Sequence, residues 1–213
     1  PMVSVETLGA GGGSICQVRS GALQVGPRSA GSEPGPIAYG RGGTEPTVTD
    51  ALVMLGILST DEGFAGGSFR LSRDGVEEAF EALGAEMGTS AEQAAFDCWR
   101  MVNANMSQGV RRTTAGKGID PKDLVMLAYG GNGPAFVAIQ AEDLGIERVL
   151  VPKASPTFSA LGTLVADPAI DEERSLIARI DALDPDKLRG LWKELAVRAE
   201  RYFTGAGYAV DEV

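Results

Sequence analysis

Histidine does not occur in these 213 residues, and that absence removes several kinds of chemistry at once. Ser-His-Asp and Cys-His nucleophilic machinery is excluded within this chain, as are the usual zinc sites. Cysteine is nearly absent as well. Cys16 and Cys98 stand far apart and make no C-x-x-C spacing, so both read as reduced, packed thiols. Aromatic residues make up only 6% of the sequence. No stretch approaches the roughly 20 apolar residues of a membrane span, and residues 1–15 lack the charged start and apolar centre of a signal peptide. Positive charge is in deficit: the net charge is −10, which argues against nucleic acid or an anionic membrane as the main partner. It does not exclude a nucleotide, which backbone amides and a metal ion can hold. The expectation is a cytoplasmic protein with no nucleic-acid and no membrane partner.

Glycine, by contrast, is abundant. Its 29 residues concentrate between Gly9 and Gly43 and again near Gly130, without the period of collagen. The second cluster follows the apolar run Leu124–Tyr129 and precedes a helical pattern that starts at Pro134. Bounded this way, the run predicts a strand buried on both faces, as in the middle of a parallel sheet. Gly130-Gly131-Asn132-Gly133 is then a strand-to-helix turn. Glycines there let a ligand come close to the backbone, with free N–H groups pointing at it. A tight turn with no ligand would read the same.

The first cluster, Gly9-Ala10-Gly11-Gly12-Gly13-Ser14, lies between two runs of alternating apolar residues, Val3–Thr7 and Ser14–Val18; Ala22–Val25 supplies a third. These predict an antiparallel meander of three short strands. Its glycine loop is either a phosphate cradle built from amides and the Ser14 hydroxyl, or a plain hairpin turn. Gly26–Pro46 is too rich in glycine and proline, and too long, for an ordinary connection. Embedded Ile37 and Tyr39 point to an ordered loop. A helix is expected over Thr47–Leu58, capped by Thr47 or Thr49.

Further helices are expected over Asp74–Leu83, ending near Gly84, and after the capping-box pair Ser90 and Gln93. The latter helix buries a stripe through Ala94, Cys98, Val102 and Met106. Asp97, Arg100, Asn103 and Ser107 are assigned to its other face. The pattern continues with a helix over Pro134–Leu144 closed by Gly145, a strand over Arg148–Val151, and a short helix over Ser155–Val165. A final helix from Asp184-Pro185 stacks Leu188, Leu191, Trp192, Leu195 and Ala199, and Gly207–Val213 reads as a strand.

Several tempting motifs fail. Gly116-Lys117 is no phosphate loop, because Arg111 stands where the first glycine is required and no Ser/Thr follows the lysine. Arg111 and Arg112 read as a solvated helix end ahead of a phosphate clamp. Asp50 and Glu45 could form an acid/base or metal-binding pair, though such residues more often serve a helix N-terminus.

The order of the motifs carries more than any one of them. Gly9–Ser14, Gly26-Pro-Arg-Ser-Ala-Gly31, Pro34-Gly-Pro36, Tyr39–Asp50, Asn103-Ala-Asn-Met106, Gly130–Pro134 and Ser159-Ala-Leu-Gly162 resemble the successive landmarks of one family. That family is hydantoinase A, with 5-oxoprolinase and the ATP-dependent acetone and acetophenone carboxylases. The resemblance runs from about Val3 to Ser175.

The resemblance implies an α/β fold: the ribonuclease-H-like half of an actin/hexokinase-type nucleotide-binding fold, with a helical insertion at about residues 59–122. It implies one domain over residues 1–180 and a C-terminal helix over 181–213 leading into a further domain. ATP and Mg²⁺ are the implied cofactors. Gly11, Gly12, Gly13 and Ser14 would contact phosphate, and Gly130, Gly131, Asn132 and Gly133 the adenosine side. Asp50 is the one catalytic candidate, and no metal ligand is assigned.

By the same resemblance the parent protein is an ATP-dependent cyclic-amide hydrolase or ketone carboxylase. It would activate substrate or bicarbonate by phosphoryl transfer and work with a hydantoinase B-like subunit on a lactam, hydantoin or ketone. The family's first phosphate loop, of Asp-x-Gly-Gly-Thr type, does not occur here. The chain is therefore expected to be a piece of a larger subunit, inactive alone. The alternative is a non-catalytic scaffold subunit. Histidine often follows the second glycine turn in hydantoinase-type members; Ala135-Phe136 stands there instead, which leaves the substrate open.

Overall fold

In the computed structural model, which describes residues 5–64 and 67–208, the chain forms two compact units. One is Glu6–Leu164; the other holds the stretch from Val165 onward.

The first unit begins with an antiparallel hairpin, β1 (Ser14–Arg19) and β2 (Ala22–Ser29), turning at Ser20-Gly21. The expected third strand is not formed where it can be seen: Val5–Thr7 is irregular, and Val3 and Ser4 lie outside the described residues. Leu8 instead sits against the bare backbone of Gly109, where a Cβ would come within 2.5 Å of its side chain.

The loop after β2 is ordered by a short 3-10 turn, Ile37–Tyr39, and leads into α1 (Val48–Met54). Thr47 caps that helix in a reciprocal box with Asp50, satisfying two of the N–H groups a helix start leaves open.

Helices α2 (Val76–Met87) and α3 (Ala91–Gly116) follow. They bury Val76, Phe80, Ala94, Cys98 and Val102 in the same core as Cys16, Val48 and Leu52. The region expected as an insertion thus packs directly on the hairpin and α1. Gly84 does not end α2. It lies inside the helix, where a Cβ would meet the Thr89 carbonyl oxygen at 2.8 Å, and Gly88, at φ 72°, makes the left-handed cap. Ser90 caps α3 by accepting from Gln93 N, but the Gln93 side chain bonds Asp97 and does not close a box.

Asn103 and Ser107 are buried, against the sequence expectation. The cause is α4 (Gly133–Leu144), which lies over that face of α3. Ser107 Oγ bonds Asp143 Oδ2 at 3.2 Å, and the Gln140 amide reaches Asn103.

The strand before α4 is short. β3 (Val125–Leu127) pairs in parallel with β4 (Arg148–Leu150), with Met126 opposite Val149. The expectation of burial on both faces is not met: Val125 is 49% exposed and Leu127 41%. Among the described residues β3 pairs with β4 alone, so it is not the middle of a sheet, and of its three residues only Met126 is half-buried, against the second small core. α4 ends at Gly145, φ 70°, and Ala141, Leu144 and Ile146 form a small second core beside Met126 and Val110. A 3-10 turn, Ser155–Thr157, runs into α5 (Phe158–Val165).

In the second unit, α6 (Pro185–Gly205) is capped by Asp184. Arg174–Glu194 and Arg198–Glu172 ion pairs link it to the preceding extended segment. After α6, Gly207 and Tyr208 form no strand, and residues 209–213 lie outside the described range.

Candidate functional site

The first glycine turn is closed on itself. Ser14 N donates to the Gly11 carbonyl at 3.0 Å, and Gly11 N donates to Ser14 Oγ at 3.0 Å. The Gly13 carbonyl accepts from Ala30 N, and the Gly12 carbonyl accepts from both Thr49 N, at 2.7 Å, and Thr49 Oγ1, at 3.0 Å. The start of α1 therefore holds the turn by its carbonyls. The amides of Gly12 and Gly13 donate to no partner among the described residues.

The second turn is anchored the same way. Gly130, at φ 85°, gives its N–H to the Ser155 carbonyl at 2.8 Å and accepts the Ser155 hydroxyl at 3.2 Å. Glycine is needed there because a side chain is strained at positive φ. Asn132 is the N-cap of α4, and Pro134 sits in its first turn, where a missing N–H costs nothing. The amides of Gly131, Asn132 and Gly133 donate to no partner among the described residues.

The two turns meet. A Cβ placed on Gly12 would lie 2.4 Å from Asn132 Nδ2 and 2.7 Å from Thr49 Oγ1, so Gly12 is backbone packed against the opposite turn. They open on a shared cavity of about 440 Å³. Gly11, Gly12, Asn132 and Gly133 line it together with Met106, Met126, Tyr129, Phe136 and Gln140. Amide donors beside an apolar lining suit a ligand with an anionic end and a flat apolar body. Gly13, Ser14, Gly130 and Gly131 do not line this cavity, and Ser14 is buried behind its turn. A separate cavity of about 480 Å³ lies between Thr7–Ala10, β2 and α3.

Asp50 is elsewhere and fully employed. Its Oδ2 accepts from Ile37 N, Thr47 N and Thr47 Oγ1 at 3.2, 2.8 and 2.7 Å, and Oδ1 accepts from Ala38 N at 2.7 Å. It is completely buried and ties the glycine-rich loop to α1. Glu45, its suggested companion, pairs with Arg28 at the surface at 3.0 Å. Among the described residues no group of three or more His, Cys, Asp or Glu side chains could hold a metal ion. Cys16 and Cys98 are free and buried; the neighbouring Cys98 thiol, then burial, push the Cys16 thiol well above its ordinary 9.0.

Thr49 and Gln140 were not assigned to the site from sequence. Thr49 was legible only as a possible cap. Gln140, a lone amide among Phe136, Val137 and Ala141, carried a signal in its polarity.

The fold and site thus define an α/β chain in which two glycine turns with unpartnered amides face one cavity. The chain belongs to the hydantoinase/oxoprolinase family, whose model matches residues 1–172. It is 41% identical over 215 residues to the caprolactamase subunit alpha of Pseudomonas jessenii, covering 99% of this chain and 31% of that protein. The crystal structure of the ATP-dependent caprolactamase from the same organism is similar over the whole chain, with TM-score 0.76 and 37% identity, covering 31% of that chain. A nucleotide-free acetone carboxylase structure, from work on ATP-dependent acetone carboxylation, is similar over 95% of this chain and 30% of its own, with TM-score 0.76 and 29% identity. The chain spans under a third of the length of these relatives. Among the described residues, no helix is long and apolar enough to cross a membrane.

Proposed function

We propose that this chain supplies one wall of the nucleotide site of an ATP-dependent cyclic-amide hydrolase of the hydantoinase/oxoprolinase type. In this reading Glu6–Leu164 is a ribonuclease-H-like half of an actin/hexokinase-type fold. The observation that carries it is the contact of Gly12 with Asn132, which sets two rows of unpartnered amides at one end of an apolar cavity. A ring amide is preferred to acetone as substrate, because identity to the caprolactamase structure is 37% against 29% to the acetone carboxylase structure.

The residues fit a nucleotide triphosphate. A Cβ on Gly11, which lines the cavity, would touch nothing within 4 Å, so the backbone there is open to phosphate oxygens. ATP supplies a transferable phosphoryl group that turns a poor leaving oxygen, of an amide, enolate or bicarbonate, into a good one. The chain's own part is to orient: the amides of Gly12, Asn132 and Gly133, which line the cavity, neutralise phosphate charge, aided by the N-terminal end of α4; the second turn thus takes a phosphate role in place of the adenosine-side contact expected from the resemblance. The lining from Met126 to Phe136 keeps water from the nucleoside. Among the described residues no group of three or more carboxylates stands at the cavity, and Mg²⁺ would enter bound to the phosphates. Asp50 acts by position, holding α1 and thereby Thr49 and Gly12. A hydantoinase B-like subunit completes the enzyme, and the setting is cytoplasmic.

The natural full-length protein, with its partner subunit, should release ADP when given ATP and one of caprolactam, 5-oxoproline, hydantoin, acetone or acetophenone. The present 213 residues alone should bind ATP weakly and not turn it over, since phosphoryl transfer needs positioning from both walls. No ATP binding by the full-length protein would sink the nucleotide reading. Steady hydrolysis by the 213 residues alone would sink the one-wall assignment.

A further inference from the structure

We infer that Gln140 reads the base of the bound nucleotide, accepting a hydrogen bond from an exocyclic amine and so selecting adenine over 6-oxopurines. The inference rests on the nucleotide reading above. Its basis is a chain of hydrogen bonds that engages the Gln140 Nε2 end and leaves its Oε1 free to accept.

The chain starts at an acceptor that cannot reverse, the backbone carbonyl of Trp99. Asn103 Nδ2 donates to it at 2.9 Å, so Asn103 Oδ1 points the other way. Asn103 is completely buried and cannot trade this bond for water. Gln140 Nε2 lies 3.5 Å from that Oδ1 and 3.1 Å from Met106 Sδ, two groups that can only accept. Turning the Gln140 amide over would press its oxygen against both. Its Oε1 is thus left as an acceptor with no partner among the described residues, on a side chain that lines the cavity.

Position supports the assignment. Gln140 stands seven residues along α4 from Gly133, roughly 10 Å at the helical rise. The glycine amides mark the phosphate end, and Gln140 marks the far end of an apolar slot lined by Met106, Met126 and Phe136. Adenine presents an N6 donor there, whereas a 6-oxopurine presents an acceptor. Against a fixed Oε1 the second base leaves two acceptors facing each other in place of a hydrogen bond. Asn103 is a positioning residue in this scheme, which accounts for a fully buried asparagine on the α3 face beneath α4.

The test compares ATP with inosine triphosphate on the natural full-length protein by calorimetry; the two differ at the purine 6-position. The unaltered protein should prefer ATP by roughly 10–100-fold. Gln140→Leu should weaken ATP about tenfold and inosine triphosphate little, bringing the ratio toward one. Asn103→Leu should also lower the ratio, by freeing the Gln140 amide to turn, an effect that a general loss of stability would not produce. Equal affinity of the unaltered protein for the two nucleotides, or an unchanged ratio in Gln140→Leu, overturns the inference while ATP binding itself stands. Binding of neither nucleotide overturns the nucleotide reading, and the inference with it.

Discussion

Replacing Asp50 with alanine tests whether this carboxylate holds the site together. The substitution removes the acceptor of three buried backbone N–H groups, those of Ile37, Ala38 and Thr47, and of the Thr47 hydroxyl. Thr47 and Ala38 are completely buried, so water cannot replace the lost bonds. The Thr47 cap itself survives, since its Oγ1 can still accept from the N–H at position 50. Each orphaned buried donor costs about 1–3 kcal/mol before relaxation. Allowing the loop to relax, the total is about 4 kcal/mol, a large share of the roughly 5–15 kcal/mol of a typical domain. For a chain of this size that lowers the melting temperature by about 8–16 °C. Asp50→Asn keeps one acceptor oxygen but turns an amide donor toward N–H groups, so about half the loss is expected. Thermal and urea unfolding of the three proteins measure it. A drop of less than about 3 °C in Asp50→Ala would refute the reasoning, and with it the view that the carboxylate is structural.

Gly11 and Gly12 should respond differently to alanine. A Cβ at Gly11 meets nothing within 4 Å, so Gly11→Ala should leave stability within about 0.5 kcal/mol while weakening ATP binding. Gly12→Ala displaces Asn132 and crowds Thr49, so about 1–3 kcal/mol of stability should go together with nucleotide affinity. Unaltered melting and binding in Gly12→Ala would remove Gly12 from both roles. Alkali should loosen the core through Cys16, whose thiol is raised above 9.0 in the folded protein. Between 9.0 and that higher value the folded state binds more protons than the unfolded one, so stability falls as pH rises through this window. Cys16→Ala should flatten the fall in urea midpoint across that range, and identical slopes would contradict it.

What the sequence revealed follows from which interactions are local. Helix starts were legible because caps are short-range: Thr47, Ser90 and Asp184 each use their side-chain oxygen within three residues. Both glycine turns were legible for the same reason. The burial of Asn103 was not, since it depends on α4, whose Gln140 lies 37 positions away. Nor was the exposure of Val125 and Leu127, because an apolar run reports what a strand can bury and not whether a neighbour covers it. Asp50 shows a subtler limit. The sequence suggested service at a helix N-terminus, but its bonds to Ile37 N and Ala38 N cross a loop no pattern could fold.

Those bonds explain how a buried acid remote from the cavity can govern it. The first turn of α1 carries Thr47, Thr49 and Asp50 within four positions. Asp50 faces one way and fixes Ile37 and Ala38; Thr49 faces the other and holds the Gly12 carbonyl with both its N–H and its hydroxyl. Because the carbonyls of Gly11, Gly12 and Gly13 are taken by the fold, the turn is held in one shape, with Gly12 packed against Asn132. Ser155 does the same for the second turn by binding both polar groups of Gly130. A ligand arriving at the cavity then meets donors already aimed, and no binding energy is lost in ordering the loops. Asp50→Ala should accordingly weaken nucleotide binding even at temperatures where the variant is still folded, because a tilted α1 moves Thr49 and carries Gly12 with it. Intact ATP affinity in the folded variant would show that the glycine turn keeps its shape without the helix, and would uncouple Asp50 from the site.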